Sequence, residues 1–363
     1  MILPILAFMT MQNTAEVLKA RGFEVLEQVR RDYYLPETRL YCEEVSRDGK
    51  KSGPAFNWGV GVMLSALNAA AKLDPKYKHW LREFADASRI YWNDKGPVPG
   101  YDVLPCPKPI DRYYDDNAWM VLALVETYEV LGDKKYLDWA EDGLNFVLSG
   151  WDDKLGGGIY WRENEKTSKN TCSNAPAAAA CYAVAKHRNG QRLGDEGRRI
   201  LAWTEKLMDP SDGLFWDNIT LTGKIEKTKW SYNTGLVFRS MAMEEAKLAE
   251  EMGRGSDWRV STKNAIARWF DPVSGSLKDV GKFAHLLIEG LWIHEPRSED
   301  LRLKTFKALE FVYSKVRDSK GRYGGNWSAA VSQNQAKFEL IDQASVARAF
   351  LFAANNIPTS KKY

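Results

Sequence analysis

Twelve helical segments of two alternating kinds run through the 363 residues, and that alternation leaves the chain very few architectures. One kind is amphipathic: Thr14–Tyr34, Lys76–Asn93, Lys134–Gly150, Asp195–Met208, Asp257–Phe270 and Ser298–Val316. In the third of these, Tyr136, Ala140, Leu144, Val147 and Trp151 recur at steps of 4, 4, 3 and 4, an apolar stripe with charges opposite. The other kind is apolar nearly all round: Trp58–Leu73, Asp116–Leu131, Asn174–Lys186, Tyr232–Ala249, Phe283–His294 and Asp342–Asn355. A helix without a polar face must be buried on every side.

The second kind keeps a regular register. Asn57, Asn117, Asn174 and Asn233 stand at or just before an apolar segment, spaced by 60, 57 and 59 residues, and Phe283 and Asp342 continue the series at 50 and 59. Six pairs of an outer amphipathic and an inner apolar helix predict an all-α fold closed into an (α/α)6 barrel. An open solenoid would need a polar terminal cap, yet the last inner segment (Val346, Ala347, Ala349, Phe350, Leu351, Phe352) is as apolar as the middle ones. No Pro/Ser-rich linker or charge block divides the chain, so one domain is expected over 13–357. Residues 1–12 read as a signal remnant or a docked N-terminal segment: the apolar run Met1–Met9 is too short to span a bilayer and lacks a basic lead. A secreted or periplasmic protein without an integral membrane segment is the corresponding expectation.

Basic and acidic residues nearly balance, 51 against 48, and no basic run carries interleaved aromatics, which argues against nucleic acid as a partner. Cys42, Cys106, Cys172 and Cys181 form no CxxC and no metal-ligand spacing. Cys181 reads as a small core residue, and Cys42 and Cys106 could pair only if the fold joins them. No metal, no cofactor and a monomeric state are expected.

The joints carry the chemistry. Gly/aromatic turns precede inner segments: Leu155–Trp161, Asp212–Asp217 and Gly321–Trp327. Because each inner segment follows its turn, all six inner N-termini point to one rim, where Asn57-Trp58, Asp115-Asp116, Asn174, Tyr232-Asn233 and Asp342 should converge. The opposite connections, such as Gly132-Asp133-Lys134-Lys135, are short and charged. A cleft at the N-terminal rim is the expected site.

Within that rim the run Arg112-Tyr113-Tyr114-Asp115-Asp116-Asn117-Ala118-Trp119 stands out. Alone, it is an ordinary helix start with negative charge at the positive dipole end. Set in an aromatic cleft, two adjacent carboxyls are what glycosidic cleavage needs, one to attack and one to protonate the leaving oxygen. Carboxyls about 5 Å apart suit a retaining double displacement, and about 6.5–9.5 Å leaves room for the water of inversion. Like-charge repulsion raises one pKa while the helix terminus holds the other group ionised, but spacing does not assign the roles.

The runs Tyr114–Trp119, Gly157-Gly158-Ile159-Tyr160-Trp161, Lys169-Asn170 through Ser173-Asn174-Ala175-Pro176, and Ser231-Tyr232-Asn233-Thr234-Gly235 together resemble glycoside hydrolase family 76 in order and spacing, from about Asn57 to the C-terminus. That family comprises endo-α-1,6-mannanases. The resemblance implies an (α/α)6 barrel, a retaining mechanism without metal, Asp115 as nucleophile and Asp116 as acid/base on a mannan-type polysaccharide.

The remaining rim candidates for substrate contact are Asn57, Trp58, Tyr114, Trp161, Asn174, Asp217, Tyr232, Asn233 and Asp342, each with a structural alternative as helix cap or packing residue. Two other functions fit the same barrel. A sugar epimerase would want pocket histidines, but His285 and His294 lie nine residues apart on one helix and so face opposite ways. A transglycosylase, or a catalytically silent glycan-binding protein, would keep the aromatic loops; only the former needs both carboxyls.

Overall fold

The computed structural model describes residues 2–188, 190–249 and 258–357. Among them are twelve α-helices: α1 (Ile2–Tyr33), α2 (Asn57–Leu73), α3 (Lys78–Ser88), α4 (Tyr114–Leu131), α5 (Lys134–Ser149), α6 (Thr171–Ala185), α7 (Gln191–Thr204), α8 (Ser231–Ala249), α9 (Arg259–Trp269), α10 (Gly281–His294), α11 (Glu299–Lys315) and α12 (Leu340–Asn356). The backbone of the segment expected as a signal remnant forms the first turns of α1, whose side chains there lie outside the described residues, as does the expected helix start at Asp257.

The even-numbered helices form the inner ring. Each packs on the next in the order α2, α4, α6, α8, α10, α12, and α12 returns to α2, so the ring is closed and not an open array. The cause is composition: α12 is buried at every position from Leu340 to Ala354, and α4 from Asn117 to Val125. The odd helices bury one face only. In α7 that face is Leu193, Gly194, Gly197, Ile200, Leu201, Trp203 and Thr204.

Each of the outer helices α3, α5 and α7 lies chiefly on the inner helix before it in the chain, because the connections at the plain end are short. Gly132, in the left-handed region at φ 74°, ends α4, and Asp133 caps α5 by accepting from Lys135 N. The remaining outer place, behind α12, is filled by α1 from the opposite end of the chain.

Short strands, which the helical periodicity does not reveal, stitch the other rim. Glu44–Ser46 pairs antiparallel with Lys337–Glu339, and Ser168–Asn170, Asn218–Thr220 and Ile225–Glu226 form a three-stranded sheet. The loops are then fastened to the inner helices by polar residues at their fourth position. The Asn117 amide accepts from Tyr101 N and donates to Tyr101 O (2.8 and 2.9 Å). Asn174 does the same to Ile159 (2.7 and 2.9 Å), and Gln343 to Tyr323 (2.8 and 2.9 Å). In α8 the clamp is Thr234, whose Oγ1 accepts from Phe215 N. Buried backbone groups in these loops thereby find partners.

Deep in the ring lies a charged plug. Arg348 of α12 donates to both carboxylate oxygens of Glu289 on α10 (2.7 and 3.0 Å), to both of Glu126 on α4 (2.9 and 3.1 Å), and to Ser65 O on α2. Although burial opposes ionisation, the guanidinium holds Glu126 down at about 2 and Glu289 below its ordinary value.

Candidate active site

The inner N-termini meet at one rim, and the structure shows how helix phase selects what faces the opening. Trp58, Asp115, Cys172, Tyr232, Lys282 and Ile341 are the second residues of α2, α4, α6, α8, α10 and α12. Three of them, Trp58, Asp115 and Tyr232, line a cavity of about 550 Å³ together with Phe56, Val103, Asp111, Tyr113, Asp116, Trp119, Trp161 and Phe283. Its lining is mostly aromatic with a few convergent carboxyls, the combination expected of a saccharide site.

One wall is a stack of rings. Phe283 lies 4.1 Å from Tyr232 at 11° and 5.9 Å from Trp58 at 24°. Opposite stands Trp161, 40% exposed, its ring edge-on to Tyr113 at 5.0 Å. Trp161 is carried by the Gly156-Gly157-Gly158 turn, where φ is positive at all three residues and a side chain on Gly158 would strike Trp203. Buried Lys169 pins that turn by donating to the carbonyls of Asp152, Lys154 and Gly157 and to the Asp152 carboxylate.

The two aspartates are neighbours in sequence and unlike in surroundings. Asp115 Oδ2 accepts from the Trp161 indole at 3.0 Å and the Cys172 thiol at 3.5 Å, and Oδ1 accepts from Asp116 N at 3.0 Å. Burial raises its pKa to about 6, against the pull of these donors. Among the described residues none donates to the Asp116 carboxyl; burial, then the charges of Asp115 and Asp111, push its pKa well above the usual carboxylate range. At neutral pH the arrangement favours an ionised Asp115 beside a protonated Asp116. Because the groups titrate together, the protons belong to the pair.

Of the residues expected at the rim, Asp115, Asp116, Trp58, Trp161 and Tyr232 line the cavity. Tyr114 does not: as the first residue of α4 it points outward, buried against Phe146 at 4.9 Å, and its neighbour Tyr113 takes the cavity face. Asn174 is likewise turned away, with its amide committed to Ile159 and to Asn170 O. Asn57 and Asn233 are fully buried, and Asn233 donates to Asp217 Oδ1 at 3.3 Å. Asp342 lies under the Gly324-Gly325 turn, 5% exposed, its pKa raised to about 7 first by burial and then by Glu339. These four and Asp217 are outside the cavity lining.

Sequence reasoning missed Phe56, Asp111, Tyr113, Cys172 and Phe283. Phe283 carried a signal, since it continues the inner-helix register; Cys172 carried none beyond lying one place from Ser173-Asn174. All four cysteines are free thiols, so Cys42 and Cys106 do not pair. His285 is buried against Gly281 O and His294 stacks on Phe238 at 5.1 Å, both away from the cavity. Among the described residues no cluster of metal-binding side chains occurs, and no helix is long and apolar enough to cross a membrane.

The profile of Glycosyl hydrolase family 76 matches residues 19–270. No curated protein sequence matches the chain. Among solved structures, a family 76 α-mannanase of Bacteroides thetaiotaomicron is 28% identical with a TM-score of 0.86, over 93% of this chain and 95% of that one. A family 76 mannosidase of the same organism is 22% identical with a TM-score of 0.83, over 93% and 98%. An inactive variant of an α-1,6-mannanase of Salegentibacter sp. HEL1_6, with two consecutive aspartates replaced by asparagine, was solved with α-1,6-mannotriose. It is 21% identical with a TM-score of 0.76, over 95% and 99%.

Proposed function

The chain belongs to glycosyl hydrolase family 76 and is a glycoside hydrolase, and from that premise we propose that it cleaves α-1,6-mannosidic linkages of a mannan-type polysaccharide with retention of configuration. The observation that carries the roles is the unequal provision of donors to the two aspartates. Asp115, held by an indole, a thiol and a backbone N–H, is the group kept ionised to attack the anomeric carbon. Asp116, crowded by two carboxylates and given no donor, is the group that keeps its proton for the leaving oxygen.

In the first step an Asp115 oxygen bonds to the anomeric carbon as the glycosidic bond breaks, and the Asp116 proton passes to the departing hydroxyl. In the second, Asp116 takes a proton from water, the water oxygen bonds to the anomeric carbon, and Asp115 leaves as carboxylate. A sugar hydroxyl in place of that water gives transglycosylation by the same route.

Two consecutive aspartates were replaced in the inactive Salegentibacter enzyme that binds α-1,6-mannotriose. Two such pairs occur here, Asp115-Asp116 and Asp152-Asp153. The second lies on a surface turn with Asp152 tied to Lys169, so the cavity pair is the counterpart we favour. Residues 13–357 are taken as the catalytic domain, because α1 packs as an outer helix on α12, the last member of the ring. Action on a polymer that does not cross membranes places the enzyme in a secreted or periplasmic setting.

The test is incubation with linear α-1,6-mannan, reading product length and the anomeric configuration of the new reducing ends. Expected are shortened chains with α-anomers formed first, and a loss of about a hundredfold or more in kcat for Asp115→Asn and Asp116→Asn with folding retained. First-formed β-anomers would remove Asp115 as nucleophile; full activity in either variant would remove the pair. Retention of mannan without release of sugar would mark a glycan-binding protein.

A further inference from the structure

We propose that Cys172 is a positioning residue for Asp115, its thiol fixing one carboxylate oxygen from the adjoining inner helix. The inference rests on the reading of Asp115 as the attacking group. Asp115, Cys172 and Tyr232 hold the same second place in α4, α6 and α8, three successive members of the ring. The Cys172 sulfur lies 3.5 Å from Asp115 Oδ2, and the residue is only 3% exposed, so little solvent competes for its hydrogen.

The proton's direction follows from the neighbours. Burial, then the charges of Asp115 and Asp217, push the Cys172 thiol well above its ordinary pKa, so the sulfur keeps its hydrogen. The Tyr232 side chain influences the same thiol, and its own pKa is likewise raised, first by burial. A thiol has one hydrogen to give. In the structure the Cys172 S–H gives it to Asp115 Oδ2.

Trp161 supplies the second donor to the same oxygen at 3.0 Å, from a loop and not from the ring. The two donors differ in kind: the indole is 40% exposed and carried by a loop, whereas the thiol is buried and set by helix packing. Cys172 therefore fixes the Asp115 carboxylate before substrate enters. The titratable groups around it, among the described residues, are Asp116 on its own helix, Asp111 and Tyr113 on the preceding loop, Cys172 on α6, Tyr232 on α8 and Asp217 beyond.

The experiment compares Cys172→Ala and Cys172→Ser with the full-length enzyme on α-1,6-manno-oligosaccharides across pH. Loss of a donor to the charged form raises the carboxyl pKa. Cys172→Ala is expected to lower kcat about tenfold, keep KM within about twofold, and move the acid limb upward by about 0.5–1 pH unit. Cys172→Ser, which restores a donor, should recover to within about threefold of wild type. Trp161→Phe should move the limb in the same direction and serves if the α6 variants fail to fold.

Wild-type kcat and an unmoved limb in Cys172→Ala would overturn the proposal, as would equal impairment of both cysteine variants with the limb in place. If the wild type itself releases no sugar from mannan, the hydrolytic reading fails separately. Positioning is then read from the Asp115 carboxyl by carbon-13 NMR in an Asp116→Asn background, with and without Cys172→Ala. An unchanged titration overturns it.

Discussion

Gly235 on α8 and Gly290 on α10 stand backbone to backbone: a methyl on Gly235 would lie 2.5 Å from the Leu286 carbonyl oxygen and 2.6 Å from Leu287 Cα. Neither atom belongs to a side chain that could swing away. The glycine that closes the Ser231–Gly235 motif thus serves the ring, and by seating α8 it sets where Tyr232 reaches the cavity.

Gly235→Ala should therefore destabilise the fold by about 2–4 kcal/mol, more than helix propensity would return, since overpacking here must push the backbones of α8 and α10 apart. Denaturant unfolding measures this. A concurrent fall in kcat is expected from displacement of Tyr232 and, through Cys172, of Asp115.

The plug around Arg348 makes a second prediction. Arg348→Met leaves Glu126 and Glu289 buried with only the more distant Arg239 (3.6 and 3.9 Å) to offset their charge and should cost about 3–5 kcal/mol. Adding Glu126→Gln and Glu289→Gln removes the orphaned charges and should recover a large share of that loss. In the wild type, a Glu126 pKa held near 2 contributes stability above its unfolded value of 4.5. That contribution drains away as pH falls from about 4.5 toward 2, and thermal unfolding across this interval should track it.

At the proposed active site the sign is reversed. Both aspartates have folded pKa values above the unfolded value of 3.8, so the stability linked to them is present below that value and lost as pH rises through the folded ones. Asp116→Asn should raise stability at pH 7 while lowering kcat about a hundredfold or more, and denaturant unfolding of the variant beside the wild type reads the first effect. The pH–rate profile of the wild type should fall on the acid side near 6, as Asp115 gains a proton, and on the alkaline side as Asp116 loses its own.

Asn174→Ala tests the loop clamps. It strips partners from the N–H and C=O of Ile159, two residues from Trp161, and should cost about 2–4 kcal/mol. Because Trp161 loses its seat, the loss of kcat should resemble that of Trp161→Phe; an Asn174→Ala enzyme with wild-type stability and rate would show that Lys169 alone holds the turn.

The alternation of apolar and amphipathic segments made the ring legible in the sequence, since burial on all sides can be read from residues one at a time. The paired aspartates were legible because the rim context is set by chain direction. What misled was the asparagine register. Asn57 is the first residue of α2 and Asn233 the third of α8, whereas Asn117 and Asn174 are the fourth of α4 and α6. A shift of one residue turns a side chain by about 100°, enough to send Tyr114 outward and Tyr113 inward. Helix start points are fixed by the loop clamps, which tie each inner helix to a turn 15 to 20 residues upstream, beyond the reach of helical periodicity. The Arg348 plug was hidden because its partners lie far off in the chain, 222 and 59 residues away.

The packing of α12 on both α1 and α2 has a consequence for the family of sequences this scaffold can tolerate. An open array can gain or shed a module and still fold, each unit needing only its neighbours. Here the first and last units are mutual neighbours, and the Glu44–Ser46 and Lys337–Glu339 ladder knots them at the rim. Copy number is thus frozen at six, and new specificities must come from changes in loop length, never from duplication of a hairpin.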